Sequence, residues 1–190
     1  MPYGRVNGIR RRDEMWGRPP LVAQQRALDL CSTVQSLNLV NTFAGLWPST
    51  RQMTCHVVRR TRLVVQRPDM RRAAASIAEV LFPHPARYLL KAQAEARLAS
   101  NDPDAYRRWV HAVATFRPGR ALRDVRCPAL IEAGEHDTVV PMGYKARLRR
   151  LLPHASLVVI PDSGHATNLD QPALFNRTVP DCVASLERDG

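Results

Sequence analysis

Two residues of the 190-residue chain stand where proton chemistry is possible. Asp137 follows the run Cys127-Pro-Ala-Leu-Ile-Glu-Ala-Gly-Glu-His and precedes Thr-Val-Val-Pro141, and His165 closes the run Leu157-Val-Val-Ile-Pro-Asp-Ser-Gly. Each run reads as a short apolar strand ending in a turn, with Gly134 and Gly164 at the turns. A carboxylate can accept a hydrogen bond from one imidazole nitrogen, which fixes the tautomer and stabilises the protonated ring; the other nitrogen is left to take a proton. In that arrangement Asp137 is the orienting acid and His165 the base. Taken singly, each has a plainer reading: an aspartate that caps its own turn, and a structural histidine. Their separation of 28 residues leaves room for one helix between the two strands.

The elements that would position the pair follow from periodicity. Val125 to Ala133 reads as a strand, Tyr144 to Leu152 as an amphipathic helix, Ser156 to Ile160 as a strand and Gln171 to Leu186 as a closing helix, the βαβα order of a parallel sheet. Ala155-Ser-Leu-Val-Val-Ile is nearly continuous in apolar residues, as expected of a strand covered on both faces. Glu132 interrupts the earlier strand, which argues for less complete cover there.

Upstream, Pro19 and Pro20 can open a helix whose buried face carries Leu21, Val22, Ala27, Leu28 and Cys31. Ser36 to Phe43 reads as a further strand, ending near Gly45 and Pro48. From Trp47 to Pro118 the signals are helical: Asp69 to Leu81, Ala86 to Leu98, and Asp102 to Phe116 opened by Asn101-Asp-Pro. Within that stretch His84, Tyr88, Trp109 and His111 read as packed or surface residues rather than ligands.

Composition narrows the class. A chain 45% hydrophobic at this length can bury one real core. Cys31, Cys55, Cys127 and Cys182 are scattered, without a Cys-x-x-Cys pair or a histidine at ligand spacing, so they read as reduced thiols of a cytoplasmic protein and imply no metal. No apolar run approaches the roughly 18 residues a membrane span needs. The net charge of +11 invites a nucleic-acid partner, yet 26 of the 28 basic residues are arginine, and no aromatic platform or binding motif accompanies the clusters at Arg10 to Arg12, at Arg59, Arg60 and Arg62, and at Arg147, Arg149 and Arg150. Solvated faces account for them.

The segments Leu21-Val-Ala-Gln-Gln-Arg-Ala-Leu-Asp-Leu and Leu37-Asn-Leu-Val-Asn-Thr-Phe-Ala-Gly45, with the strands that lead to Asp137 and His165, resemble the α/β-hydrolase fold superfamily, whose triad runs in the order Ser, Asp or Glu, His. That resemblance implies an α/β fold with a partial parallel sheet of about three strands. Its core portions lie at 21–46 and 119–190, a helical cap at 47–118 and an atypical segment at 1–20. It further implies Asp137 and His165 as acid and base, a small ester, lactone or thioester as substrate, and no cofactor.

The family's Gly-x-Ser-x-Gly-Gly should fall on Met15 to Pro20, with Gly17 at the serine position, and no such motif occurs anywhere in the chain. The charged run Ile9 to Glu14 cannot form the buried strand that feeds it. The expectation is a C-terminal portion of a longer hydrolase, with little or no serine-dependent turnover. Self-association through the open edge at Leu37 to Val40 is also expected. A non-catalytic binding module is the alternative, and a basic nucleic-acid-binding protein a weaker one.

Overall fold

The computed structural model describes residues 20–30, 34, 36–45 and 69–178. Helix α1, Pro20–Asp29, buries Leu21, Gln24 and Ala27 and leads to strand β1, Leu37–Val40. The Gln24 side chain donates from Nε2 to the Phe43 carbonyl at 3.1 Å, fastening the helix to the segment after the strand. Strand β1 is shorter than its apolar pattern implies because Asn41 adopts a positive φ of 44° and turns the chain out of the sheet.

Three helices follow: α2 at Met70–Leu81, α3 at Tyr88–Ala99 and α4 at Pro103–Thr115. Asp69 caps α2 by accepting from the amides of Arg71 and Arg72, both at 3.1 Å, and Asp102 caps α4 by accepting from Ala105 at 2.7 Å. The helix expected from Ala86 begins instead with a 3₁₀ turn, Pro85–Arg87, closed by His84, whose Nδ1 accepts from the Ala86 amide. Met70, Ala73 and Ile77 of α2 pack on Tyr106 and Val110 of α4 in a small core of their own. Helix α3 buries none of its residues fully, and Tyr88 and Leu89 stand exposed.

After a 3₁₀ helix at Gly119–Asp124, strand β2, Ala129–Gly134, helix α5, Met142–Leu151, strand β3, Ala155–Ile160, and the single turn α6, Thr167–Asp170, complete the described elements, with residues 172–178 helical beyond a break at Gln171. The closing helix thus begins close to where its pattern places it, and its expected part past 178 lies outside the described residues. All three strands are parallel in the order β1-β2-β3, with Leu37 opposite Ala129 and Ala129 opposite Ala155. Leu37, Leu39, Ala129 and Ile131 of the sheet meet Ala27 of α1 and Leu148 and Leu152 at the end of α5 in the main core.

The cover of the sheet is the reverse of the sequence expectation. All six residues of β2 are buried, whereas β3 is buried only at its two ends and leaves Val159 46% exposed. Position in the sheet decides this: β2 is central, and β3 has a hydrogen-bonded neighbour only on one side among the described residues. Glu132 does not open β2 to solvent. Its carboxylate accepts from Asn38 Nδ2 at 2.9 Å and from the Thr178 hydroxyl, which lets a fully buried carboxylate remain in the central strand.

Candidate active site

The carboxyl ends of the three strands converge, and each delivers one polar residue. The turn after β2 is tight: the Asp137 amide donates to the Gly134 carbonyl at 3.2 Å, and the His136 amide reaches across to the Ser163 carbonyl at 2.8 Å. Gly134 has no positive φ; what it provides is a lack of bulk. A Cβ there would sit 2.1 Å from the Gly164 carbonyl oxygen and 2.7 Å from that of Ser163, so only glycine lets the two turns lie against each other.

That contact brings the sequence-predicted pair together. His165 Nδ1 lies 3.1 Å from both carboxylate oxygens of Asp137. The Asp137 side chain is wholly buried, and the His165 ring keeps 27% of its surface exposed. Asp137 is also the cap of its own turn, Oδ1 accepting from the amides of Val139 at 2.9 Å and Val140 at 3.0 Å. The turn-capping reading of this aspartate is realised, and the same carboxylate also faces the imidazole. With Nδ1 donating to Asp137, the ring's Nε2 is left as an acceptor.

A third group completes the carboxylate's shell and was missed in the sequence. Lys145 of α5 is wholly buried and donates from Nζ to Asp137 Oδ2 at 2.7 Å. The signal for it is helical spacing: Lys145 lies one turn before buried Leu148 and beside buried Tyr144, so a lysine occupies the apolar stripe of the helix. Burial alone would raise the Asp137 pKa, but the hydrogen bond and charge of His165 and then the charge and hydrogen bond of Lys145 outweigh it and hold the carboxyl below its ordinary value. The Lys145 pKa is lowered, because burial outweighs the attraction of Asp137.

Asp137 therefore contributes stability that is present above the unfolded carboxyl pKa of about 3.9 and is lost as pH falls through its lower folded value. Urea midpoints measured from pH 7 down to pH 3 are expected to decline steeply only below about pH 4, and Asp137→Asn is expected to flatten that decline.

Asn41 is the second group that sequence reasoning missed. From its left-handed position at the end of β1, its Nδ2 donates to the carbonyls of His165 at 2.8 Å and Gly164 at 3.2 Å and to Thr167 Oγ1 at 2.5 Å, while its Oδ1 accepts from the Gly134 amide at 2.8 Å. One side chain thus ties the His165 backbone to the ends of β1 and β2. Asparagine tolerates φ > 0 better than most residues, which was the available clue. Asn41→Gly keeps the backbone accessible and removes these bonds; it is expected to cost about 1–3 kcal/mol in urea denaturation, and a loss below about 0.5 kcal/mol would count against the network.

A cleft of about 660 Å³ opens beside Gly164, lined by Phe82, His84, Arg87, His136 and Asp162 among others. Its wall is braced by Asp170, which accepts from the Gly164 amide at 2.8 Å and pairs with Arg87 Nε at 3.6 Å. The region expected to carry a nucleophile, around Gly17, lies outside the described residues, as do Cys31, Cys55 and Cys182 and the arginine clusters at Arg10 to Arg12 and at Arg59, Arg60 and Arg62. Among the described residues no helix is long and apolar enough to cross a membrane.

An open parallel sheet that gathers a buried carboxylate and a part-exposed imidazole at its carboxyl edge defines an α/β protein with a candidate site at the edge where such sheets bind ligands. Residues 16–178 match the model of the alpha/beta hydrolase family, and the chain belongs to that family. It is 32% identical over 170 residues, 85% of this chain and 62% of the relative, to a protein of Pseudomonas savastanoi pv. phaseolicola named "Putative carbamate hydrolase RutD". The chain thus spans less than two thirds of that relative's length. Among solved structures it is similar to a hydrolase from Pseudomonas aeruginosa PA01, with TM-score 0.74 and 25% identity over 86% of this chain and 61% of that one. The enol-lactonase from Burkholderia xenovorans LB400 shares the fold, with TM-score 0.75 and 19% identity over 87% of this chain and 62% of that one.

Proposed function

We propose that this chain provides the acid and base of an α/β-hydrolase site for a small ester-like substrate, with His165 as the base and Asp137 as the orienting acid. The observation that carries the reading is the 3.1 Å approach of His165 Nδ1 to both oxygens of a wholly buried Asp137, which leaves Nε2 to take a proton. Esters, lactones and thioesters are the substrate class, and the names of the relatives add carbamates to it. In this reading residues 47–118 form the cap, of which Leu81 to Arg87 line the cleft beside Gly164, and residues 21–46 and 119–190 form the core. The scattered cysteines support a cytoplasmic location in this reading.

No Gly-x-Ser-x-Gly occurs in the chain, so the covalent route is closed to it and water activated by His165 is the remaining one. A fluorophosphonate probe is expected to label no serine, in parallel with assays on an ester, an enol-lactone, a thioester and a carbamate. A labelled serine, mapped by mass spectrometry, would overturn this part of the reading. The same missing motif favours a second reading, a binding module that keeps the cleft and gives up chemistry; saturable ester binding with no hydrolysis would select it. Self-association is proposed through the β1 edge, which has only β2 as a neighbour among the described residues.

A further inference from the structure

The chain has only two lysines among its 28 basic residues, and they lie in opposite environments. Lys91 pairs with Glu79 on the surface between α3 and α2. Lys145 has no exposed surface at all and spends its charge on Asp137. Burying an ammonium costs several kcal/mol in desolvation, so a lysine held this way needs a partner close enough to offset it. A salt bridge that served stability alone could be replaced by apolar packing at little loss. What distinguishes this one is where the carboxylate's other bonds go.

Asp137 accepts from four side-chain and backbone donors, and they are not equivalent. Lys145 makes the shortest of these bonds, 2.7 Å to Oδ2, whereas His165 Nδ1 is shared evenly at 3.1 Å between Oδ1 and Oδ2. The two amides at 2.9 and 3.0 Å fix Oδ1. The carboxylate is therefore oriented without help from the histidine, and its charge is already matched by an ammonium when the imidazole is neutral.

We propose that Lys145 is a positioning residue of the Asp137–His165 pair, which fixes the carboxylate through Oδ2 and withholds part of its charge from the imidazole. This rests on the functional reading above and deepens it: the site is a charge-balanced Lys–Asp–His row rather than an anion facing an imidazole. Lysine suits the place better than arginine, since a compact ammonium on a flexible stem reaches one oxygen from within a helix, whereas the guanidinium fork requires room for two bonds. Among the described residues, the other charged groups around the row are the Asp170–Arg87 pair behind Gly164 and the exposed cluster of Glu135, His136 and Asp162 on the outer side of the same turns.

The test is an NMR comparison of the intact chain and its Lys145→Met variant, reading the His165 Nδ1–H proton and the ring nitrogens. Without the ammonium the carboxylate is the stronger acceptor, so the Nδ1–H signal is expected to move downfield while the ring keeps its Nδ1-protonated tautomer. An unchanged signal in a variant whose backbone amide spectrum shows it folded overturns the proposal.

Should that variant fail to fold, the unsubstituted chain decides. With only two lysines, the protected ammonium signal of Lys145 stands apart from that of Lys91. Coupling through a shared carboxylate is reciprocal, so the Lys145 signal must shift as His165 takes up its proton on acidification. A Lys145 signal indifferent to that event, or an ammonium with no protection from exchange, overturns the proposal as well. None of these readouts needs turnover. A chain that hydrolyses nothing can pass, and an active one whose His165 is blind to Lys145 fails, so this inference and the functional reading stand or fall separately.

Discussion

Replacing Asp137 with alanine is expected to lower the unfolding free energy by about 3–5 kcal/mol in urea denaturation, the cost of leaving one member of a buried ion pair without its partner. The substitution strands the Lys145 ammonium, which has no exposed surface, and removes the acceptor for the Val139 and Val140 amides. One loss falls in α5 and the other in the loop that leads into it. The double substitution Asp137→Leu with Lys145→Met is expected to regain a large part of the loss, since an apolar pair of similar volume does not carry the desolvation of two charges. A loss under about 1 kcal/mol for Asp137→Ala, against the scale expected for a buried pair, would mean that the ammonium finds water or another partner.

The second large effect is expected at Gly134, where no charge is involved. Its missing side chain lets the end of β2 lie against the turn that carries His165, and the atoms that an added methyl would strike are backbone carbonyls rather than flexible side-chain ends. Overpacking of this kind ordinarily costs about 1–3 kcal/mol, and with rigid backbone on the far side Gly134→Ala is expected at or above the top of that range. The consequence for chemistry is greater than that for stability. Pushing the His165 turn away by about 1 Å would lower any His165-dependent rate by about 100-fold. Thermal unfolding and the rate can be measured on the same preparation, and a variant within about 0.5 kcal/mol of the parent would show that the two turns separate freely, contrary to what overpacking predicts.

Element type was largely legible because it depends on local pattern. The caps at Asp69 and Asp102, the apolar runs of β2 and β3 and the spacing of Asp137 and His165 all announce themselves in the sequence. What could not be read depends on neighbours. Whether β2 or β3 is the covered strand follows from their order in the sheet, and the near-continuous apolar run of β3 points the wrong way. Glu132 looks like an interruption until Asn38 and Thr178, 94 positions before and 46 after it, are seen to satisfy it.

The site divides along the same line. Asp137 and His165, the proposed acid and base, follow turn glycines, whereas Lys145 and Asn41 reach them from a helix and from the end of another strand. Lys145 could have been suspected from its place on the apolar stripe of α5. Asn41 carried a weaker clue, a polar residue of left-handed habit following a strand, which says nothing of the carbonyls it would hold.

The most direct test of the account is the rate of p-nitrophenyl acetate hydrolysis by the wild-type chain, His165→Ala and Asp137→Asn, with each variant first shown to be folded. Slow hydrolysis above the buffer rate is predicted for the wild type, falling to the buffer rate in His165→Ala and by tenfold or more in Asp137→Asn, within the roughly 10²–10⁴-fold that a positioned base contributes. A wild-type rate that survives His165→Ala unchanged would contradict the assignment of His165 as the base.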